Sequence, residues 1–183
     1  NQLTSFGYAY IPWRQIGGQY PYRLATDASR IMMVTHTSPS GGPFEGSRLM
    51  WLSLPSRTLS IPETLGIYTN SFGGELALAP SQNGDYVLIA ETPGREGSNV
   101  HLYETSSRRI ILSRWLPSGQ QISGAIGAGT DFYTAGNYQF NPSLVPTSIY
   151  GDDTAASESS GFTFAADGSG VRSIRPTAAV GTG

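Results

Sequence analysis

Two histidines, His36 and His101, are the side chains best suited to acid–base or metal chemistry in this 183-residue chain. Each falls on a predicted strand, and they are too far apart in sequence for a metal site built on one element. A serine nucleophile would need a strained turn of the Gly-x-Ser-x-Gly type, which the sequence lacks. We therefore expect both histidines to be ordinary polar strand residues.

Carboxylates and glycine-rich turns offer no clearer chemistry. No spacing among the 13 acidic residues favours one pair for general acid–base work. Asp152, Asp153 and Glu158 could hold Ca²⁺ through oxygen ligands, but we expect them to lie in a solvated loop. Gly168-Ser169-Gly170 lacks the lysine of a phosphate-binding loop and fits a hairpin turn. We predict no catalytic residue, no metal, no cofactor and no enzymatic activity.

Aromatic side chains point instead to binding. An N-terminal group is interrupted by glycine and proline, so some of its rings should face outward: Tyr8, Tyr10, Trp13, Tyr20 and Tyr22. Tyrosine and tryptophan are enriched where proteins bind other molecules, although these rings could also cap a β core. Arg14, Arg23 and Arg95 could donate paired hydrogen bonds to a carboxylated ligand such as a sialylated glycan.

A second aromatic group lies in the Gly-, Ser-, Thr- and Asn-rich stretch 118–161. Long loops that carry aromatic residues are typical of binding surfaces or subunit contacts. The predicted contact surfaces are the loops 38–46 and 93–98 and the aromatic segment 132–140. The predicted binding residues are Tyr20, Tyr22, Arg95, Glu96, Tyr133 and Tyr138.

Composition excludes several classes of function. A net charge of −2 gives no electrostatic footprint for nucleic acid, and there is no basic cluster or long apolar stretch for a membrane. Cysteine is absent, so no disulfide framework or thiol nucleophile exists. All 11 basic residues are arginine, which indicates either codon bias or a surface that binds through planar groups. Because the first residue is Asn1, we expect a processed product or a piece of a longer chain.

The pattern along the chain predicts one all-β domain over residues 1–183. With 23 glycines, 12 prolines and only 13% charged residues, the chain favours short strands joined by turns, and Asn83-Gly84 predicts a tight hairpin. Its parts are an aromatic-rich segment 1–46, a hairpin core 47–116, a loop-rich region 117–161, and a closing hairpin with a frayed tail at 162–183. Strands are predicted at 6–11, 22–25, 31–35, 48–54, 65–68, 75–79, 86–91, 99–104, 110–115, 131–133, 160–165 and 170–174.

Two stretches, 31–54 and 86–105, share a strand–loop–strand shape about 50 residues apart. A period near that length is typical of the blades of a β-propeller. Any two hairpins with long connections would show some of the same likeness. A propeller of two or three blades that acts as a binding scaffold is therefore one alternative.

Several segments resemble the protruding domains of non-enveloped positive-strand RNA virus capsids of the tombusvirus-like, hepatitis E virus-like and astrovirus-like types. The resemblance rests on the strand order over 76–112, on Trp51-Leu52-Ser53-Leu54, and on the closing hairpin around 162–172. It implies an antiparallel β-sandwich or twisted β-barrel with long Gly/Pro/Ser-rich loops. It also implies a homo-oligomer whose loops meet a host receptor or glycan and antibodies.

The resulting expectation is a capsid surface projection on the virion that attaches to host cells without catalysis. A secreted or extracellular location is the alternative. Besides the propeller fragment, a β-sandwich module that binds or hydrolyses carbohydrate stays open.

Overall fold

The computed structural model describes residues 20–26, 30–36, 46–74, 76–91, 97–117, 126–149, 157–165 and 169–176. Throughout these ranges the chain forms strands and turns, without a helix, which confirms the all-β prediction. Within the described ranges, then, no helix is long and apolar enough to span a membrane. The strand predicted at 6–11 lies outside them.

The strands form successive antiparallel meanders. The first sheet contains β1 (Tyr20–Thr26), β2 (Arg30–His36), β3 (Ser47–Ser53) and β4 (Leu59–Ser60), and a short hairpin, β5 (Thr64–Leu65) and β6 (Tyr68–Thr69), follows it. The second sheet contains β7 (Leu76–Pro80), β8 (Tyr86–Glu91), β9 (Gly97–Glu104) and β10 (Arg109–Pro117).

The C-terminal part continues the same pattern. The third sheet contains β11 (Ile126–Ala128), β12 (Tyr133–Ala135), β13 (Tyr138–Phe140) and β14 (Pro146–Ile149). A last hairpin pairs β15 (Ser157–Phe164) with β16 (Gly170–Pro176), close to the predicted closing hairpin. The described strands form separate open sheets, and none of these sheets closes into a barrel.

The central strands of the second sheet, β8 and β9, are buried on both faces, because the sheet lies between the other two four-stranded sheets. Val87 and Ile89 belong to a cluster shared with the first sheet, whereas Leu88 and Ala90 belong to one shared with the third. Successive strand side chains point to opposite faces. The unbroken apolar run of β8 is therefore what a strand covered on both sides requires.

The first strands of consecutive sheets lie side by side. β1 packs along β7, β7 along β11, and β11 along β15. The similar stretches 31–54 and 86–105 supply the second and third strands of their respective sheets. The two segments thus occupy equivalent places in two consecutive meanders.

Local polar contacts explain two of the connections. The predicted Asn83-Gly84 turn is confirmed: Gly84 has a φ of 76°, and the hydroxyl of Ser81 donates to Asn83 Oδ1 over 2.7 Å. Asn70 is buried, and its side-chain amide bonds the main chain of β3 as a neighbouring strand would. Its amide bonds both the N–H and the carbonyl of Leu49, at 2.8 Å each.

Candidate ligand-binding cleft

The structure does not bring the predicted binding residues together on one surface. Tyr20 and Tyr22 lie in β1, where only the backbone is described, and Arg95 and Glu96 fall outside the described residues. Tyr133 and Tyr138, in β12 and β13, are 2% and 8% exposed. These two rings are therefore core, which corrects the expectation that they form a contact surface.

Tyr133 packs in the cluster between the second and third sheets. Burial raises the pKa of its phenol to about 12, and the nearby Tyr86 and Asp131 add to the rise. The ring stays neutral at physiological pH. Its role is to fill the interior between two sheets.

A cleft of about 330 Å³ opens at one end of the interface between the first and second sheets. It forms where β2 begins, where β3 ends, and where β9 turns into β10. Arg30 and Ser53 face each other there in the antiparallel register of β2 and β3. The residues that line the cleft are Arg30, Trp51, Ser53, Ser56, Thr58, Ser60, Pro62, Tyr103 and Arg108.

Two aromatic rings from opposite sheets meet at this cleft. Trp51 of β3 and Tyr103 of β9 have ring centroids 5.7 Å apart at an interplanar angle of 38°. Trp51 is only 6% exposed, and its indole N–H has no hydrogen-bond partner among the described residues. A buried donor without a partner costs about 1–3 kcal/mol. The indole N–H is itself covered by the surrounding side chains, so Trp51 forms part of the floor of the cleft.

Two arginines bring positive charge to the cleft. Arg30 reaches from the first sheet to the second, where its Nη2 donates to the carbonyl of Thr105 over 3.1 Å. Arg108 ends the turn after β9 with a φ of 59°, and its main-chain N–H donates to the carbonyl of Glu104 over 3.0 Å. The left-handed backbone at Arg108 is uncommon for a residue with a side chain. Residues held in such a conformation are often functional.

Hydroxyl groups complete the lining. Ser53, Ser56, Thr58 and Ser60 all come from the end of β3, the following turn and β4, and the hydroxyls of Ser56 and Thr58 lie 2.7 Å apart. The lining residues contain no aspartate or glutamate. The cleft therefore combines guanidinium and hydroxyl donors, a set that suits a carboxylate, sulfate or phosphate.

His101, in β9, lies away from the cleft lining. Its Nδ1 is 2.7 Å from the hydroxyl of Ser113, and the rings of Tyr68 and Phe72 meet it edge-on. Burial lowers the pKa of His101 to about 4. His36 ends β2, with only its backbone described. No group of three or more possible metal-ligating side chains occurs in the described part of the chain.

No local sequence pattern marks the cleft, because residues from three separate segments of the chain form it. Trp51 stood out in the sequence only as a core residue of an apolar strand, and Arg30 and Arg108 flank predicted strands without any motif. The left-handed φ of Arg108 has no sequence signal, since glycine or asparagine is the usual residue there. Only the packing of two sheets brings these residues together.

Comparison with known proteins supports the arrangement of the sheets. No family model matches the sequence, and a search of curated proteins finds no match. Among solved structures, the chain is similar to one described as the structure of the Dos1 propeller, with a TM-score of 0.50 at 10% sequence identity. The similarity covers 79% of this chain and 38% of that one, so this chain spans well under half of the length of its structural neighbour. The sheets of this protein are thus arranged in a way that resembles those of a β-propeller.

Proposed function

We propose that this chain is a non-catalytic binding module built from propeller-type blades, and that the cleft between its first and second sheets binds the anionic group of a ligand. The observation that carries the function is a cleft lined by two arginines and by four serine or threonine residues, with no acidic lining residue. Charge-assisted hydrogen bonds from arginine to carboxylate or phosphate are among the strongest in proteins.

The blade interpretation rests on topology. Each of the three larger sheets is a four-stranded antiparallel meander, and the first strand of each packs along the first strand of the next. Propeller blades are four-stranded sheets arranged around a central axis. This arrangement accounts for the described strands better than a two-sheet sandwich or a twisted barrel does.

The donor set of the cleft supports binding rather than catalysis. The lining residues supply positive charge and hydrogen-bond donors, but they include no carboxylate or imidazole that could accept a proton from a substrate. Pro62, which is half-buried at the cleft, adds apolar surface against which the rest of a ligand can pack.

Two sources could supply the anion. One is the carboxylate of a sialylated glycan, in keeping with attachment to host cells as the resemblance to capsid protruding domains implies. The other is a phosphorylated ligand. If the ligand is a sialylated glycan, we propose that the protein lies on the virion surface and attaches it to host cells.

Calorimetric titration of the full chain tests the cleft. We expect sialyllactose or phosphoserine, but not neutral lactose, to bind with one site, and the better of the two identifies the source of the anion. Arg108→Gln should weaken binding at least about tenfold, since a hydrogen bond to a charged group contributes about 1.5–3 kcal/mol.

Arg109→Gln is the matched control. Arg109 is the next residue, but its side chain lies against Gly66 rather than in the cleft. Equal losses in the two variants, or no loss in Arg108→Gln, would show that the cleft is not the binding site. Absence of binding by all anionic probes would contradict the assignment of an anionic ligand.

A further inference from the structure

Trp115 presents an exposed indole at the opposite end of the second sheet from the cleft. It lies on β10 and is 59% exposed. A Cβ atom added at Gly97, where β9 begins, would lie 2.8 Å from the indole Nε1. The indole therefore lies against the main chain at Gly97. Any residue with a Cβ atom at position 97 would collide with its neighbours. Its remaining surface is open to solvent.

Polar groups continue from Trp115 across the sheet. Trp115 pairs with Asn99 of β9 in the antiparallel register, and Asn99 Nδ2 donates to Glu91 Oε2 of β8 over 2.5 Å. Paired residues project from the same face, and neighbouring strands lie about 5 Å apart. Trp115, Asn99 and Glu91 thus form a row about 10 Å long, which we call the Trp115 row.

His101, the one titratable side chain recorded near Glu91 in the described part of the chain, does not form a hydrogen-bonded ion pair with it. His101 Nε2 is 4.0 Å from Glu91 Oε2, beyond hydrogen-bond distance. Burial lowers the pKa of His101 to about 4, so the imidazole is neutral at physiological pH. Arg114, next to Trp115 in sequence, projects to the opposite face because side chains alternate along a strand. The row therefore offers an exposed indole at one end and, on the far side of Asn99, a carboxylate whose side chain is 14% exposed.

The indole of Trp115 and the carboxylate of Glu91 together favour the binding of a cation. A guanidinium or ammonium group is attracted to the face of an indole within about 6 Å of the ring centre. The same group can donate hydrogen bonds to a carboxylate and to the amide oxygen of Asn99.

We propose that the Trp115 row binds an arginine or lysine side chain of a partner peptide, with the cation over the indole of Trp115 and its N–H groups directed at Glu91. This site is independent of the anion-binding cleft, since it uses the opposite end of β9 and none of the residues that line the cleft.

Nuclear magnetic resonance titration of the full chain at low ionic strength tests the row. The probe is N-acetyl-Gly-Arg-Gly-amide, with the lysine analogue in parallel and the uncharged citrulline analogue as the control. We expect saturable shifts of the Trp115 indole N–H with both cations, and of the main-chain N–H groups of Asn99 and Glu91, which remain as the readout in every variant. Arginine should bind more tightly, because its planar group stacks on aromatic rings.

Two variants test the indole of Trp115 and the carboxylate of Glu91 separately. Trp115→Ala and Glu91→Gln should each weaken binding by about 2- to 5-fold, the size of an exposed cation–π contact or ion pair. Ile111→Ala, an exposed apolar residue on the same strand, should bind like the unaltered chain.

Equal shifts with the citrulline peptide, or unchanged arginine binding in Glu91→Gln, would overturn the proposal. Glu91→Gln keeps the shape of the side chain, so it remains decisive if Trp115→Ala lowers the melting temperature.

Discussion

At the scale of single residues, His101 shows how burial determines a protonation state. The imidazole lies in the interior between the rings of Tyr68 and Phe72 and bonds the hydroxyl of Ser113. Removal from water disfavours its charged form and lowers its pKa from 6.5 to about 4. In the unfolded chain the same imidazole titrates near its ordinary pKa.

We predict that this difference makes stability depend on pH between about 4 and 6.5. In that window the unfolded chain binds the proton more readily, so the contribution of His101 is fully present above pH 6.5 and is lost as the pH falls towards 4. The loss amounts to at most about 3 kcal/mol of unfolding free energy. Urea unfolding at several pH values measures it, and His101→Gln should flatten the dependence. An equally steep slope in that variant would assign the effect to other groups.

Tyr133 gives a second prediction at this scale. Tyr133→Ala should lower the unfolding free energy by about 3–5 kcal/mol, because it empties a site between two sheets. If Tyr133 were the exposed contact residue that the sequence predicted, this substitution would leave the melting temperature nearly unchanged. Calorimetry of Tyr133→Ala and Tyr133→Phe distinguishes a buried ring from an exposed one. The phenylalanine variant retains the packing and should lose far less unfolding free energy.

At the scale of elements, Gly127 shows how closely β11 approaches the last hairpin. A Cβ at Gly127 would lie 2.6 Å from the ring of Phe164 and 2.8 Å from Cβ of Phe162. Gly127→Ala should therefore destabilise the fold by about 1–3 kcal/mol through overpacking. Gly73→Ala is the control, since its Cβ would meet no atom within 4 Å. A melting temperature equally unchanged in both variants would show that the hairpin shifts to make room.

Strands were predictable from the sequence wherever they are long enough to show a period. β8 carries an unbroken apolar run, and Asn83-Gly84 marks the turn before it. The third sheet was predicted mainly as loop, because its strands β11 to β13 have only three residues each and offer too few positions for alternation. The packing of the sheets determines which side chains line a cleft. The spacing of residues along the chain does not reveal this packing.

At the scale of the whole molecule, the sheets form a series from β1 to β15 with an exposed surface at its far end. Val171 of the last hairpin is 68% exposed, and it pairs with the exposed Thr163. Open strand edges and apolar faces favour association with other chains.

We predict that the 183-residue chain shows an average molar mass that rises with protein concentration in light scattering after gel filtration. A fixed dimer or larger closed oligomer over a hundredfold concentration range would instead favour the capsid-projection interpretation. Substituting Val171→Lys should reduce association if the exposed face of the last hairpin takes part, whereas Thr163→Ser on the same face should have little effect.

The order of the sheets also has a consequence for how the chain reaches its native state. Each meander is complete within a contiguous segment before the next begins, so most pairing joins residues near one another along the chain. Local pairing of this kind shortens the search for the native arrangement. A ribosome that releases the chain from its N-terminus would thus allow the sheets to form one after another. The bond from Arg30 to the carbonyl of Thr105 could form only after the second meander has emerged, which makes it a natural reporter of when the first two units dock.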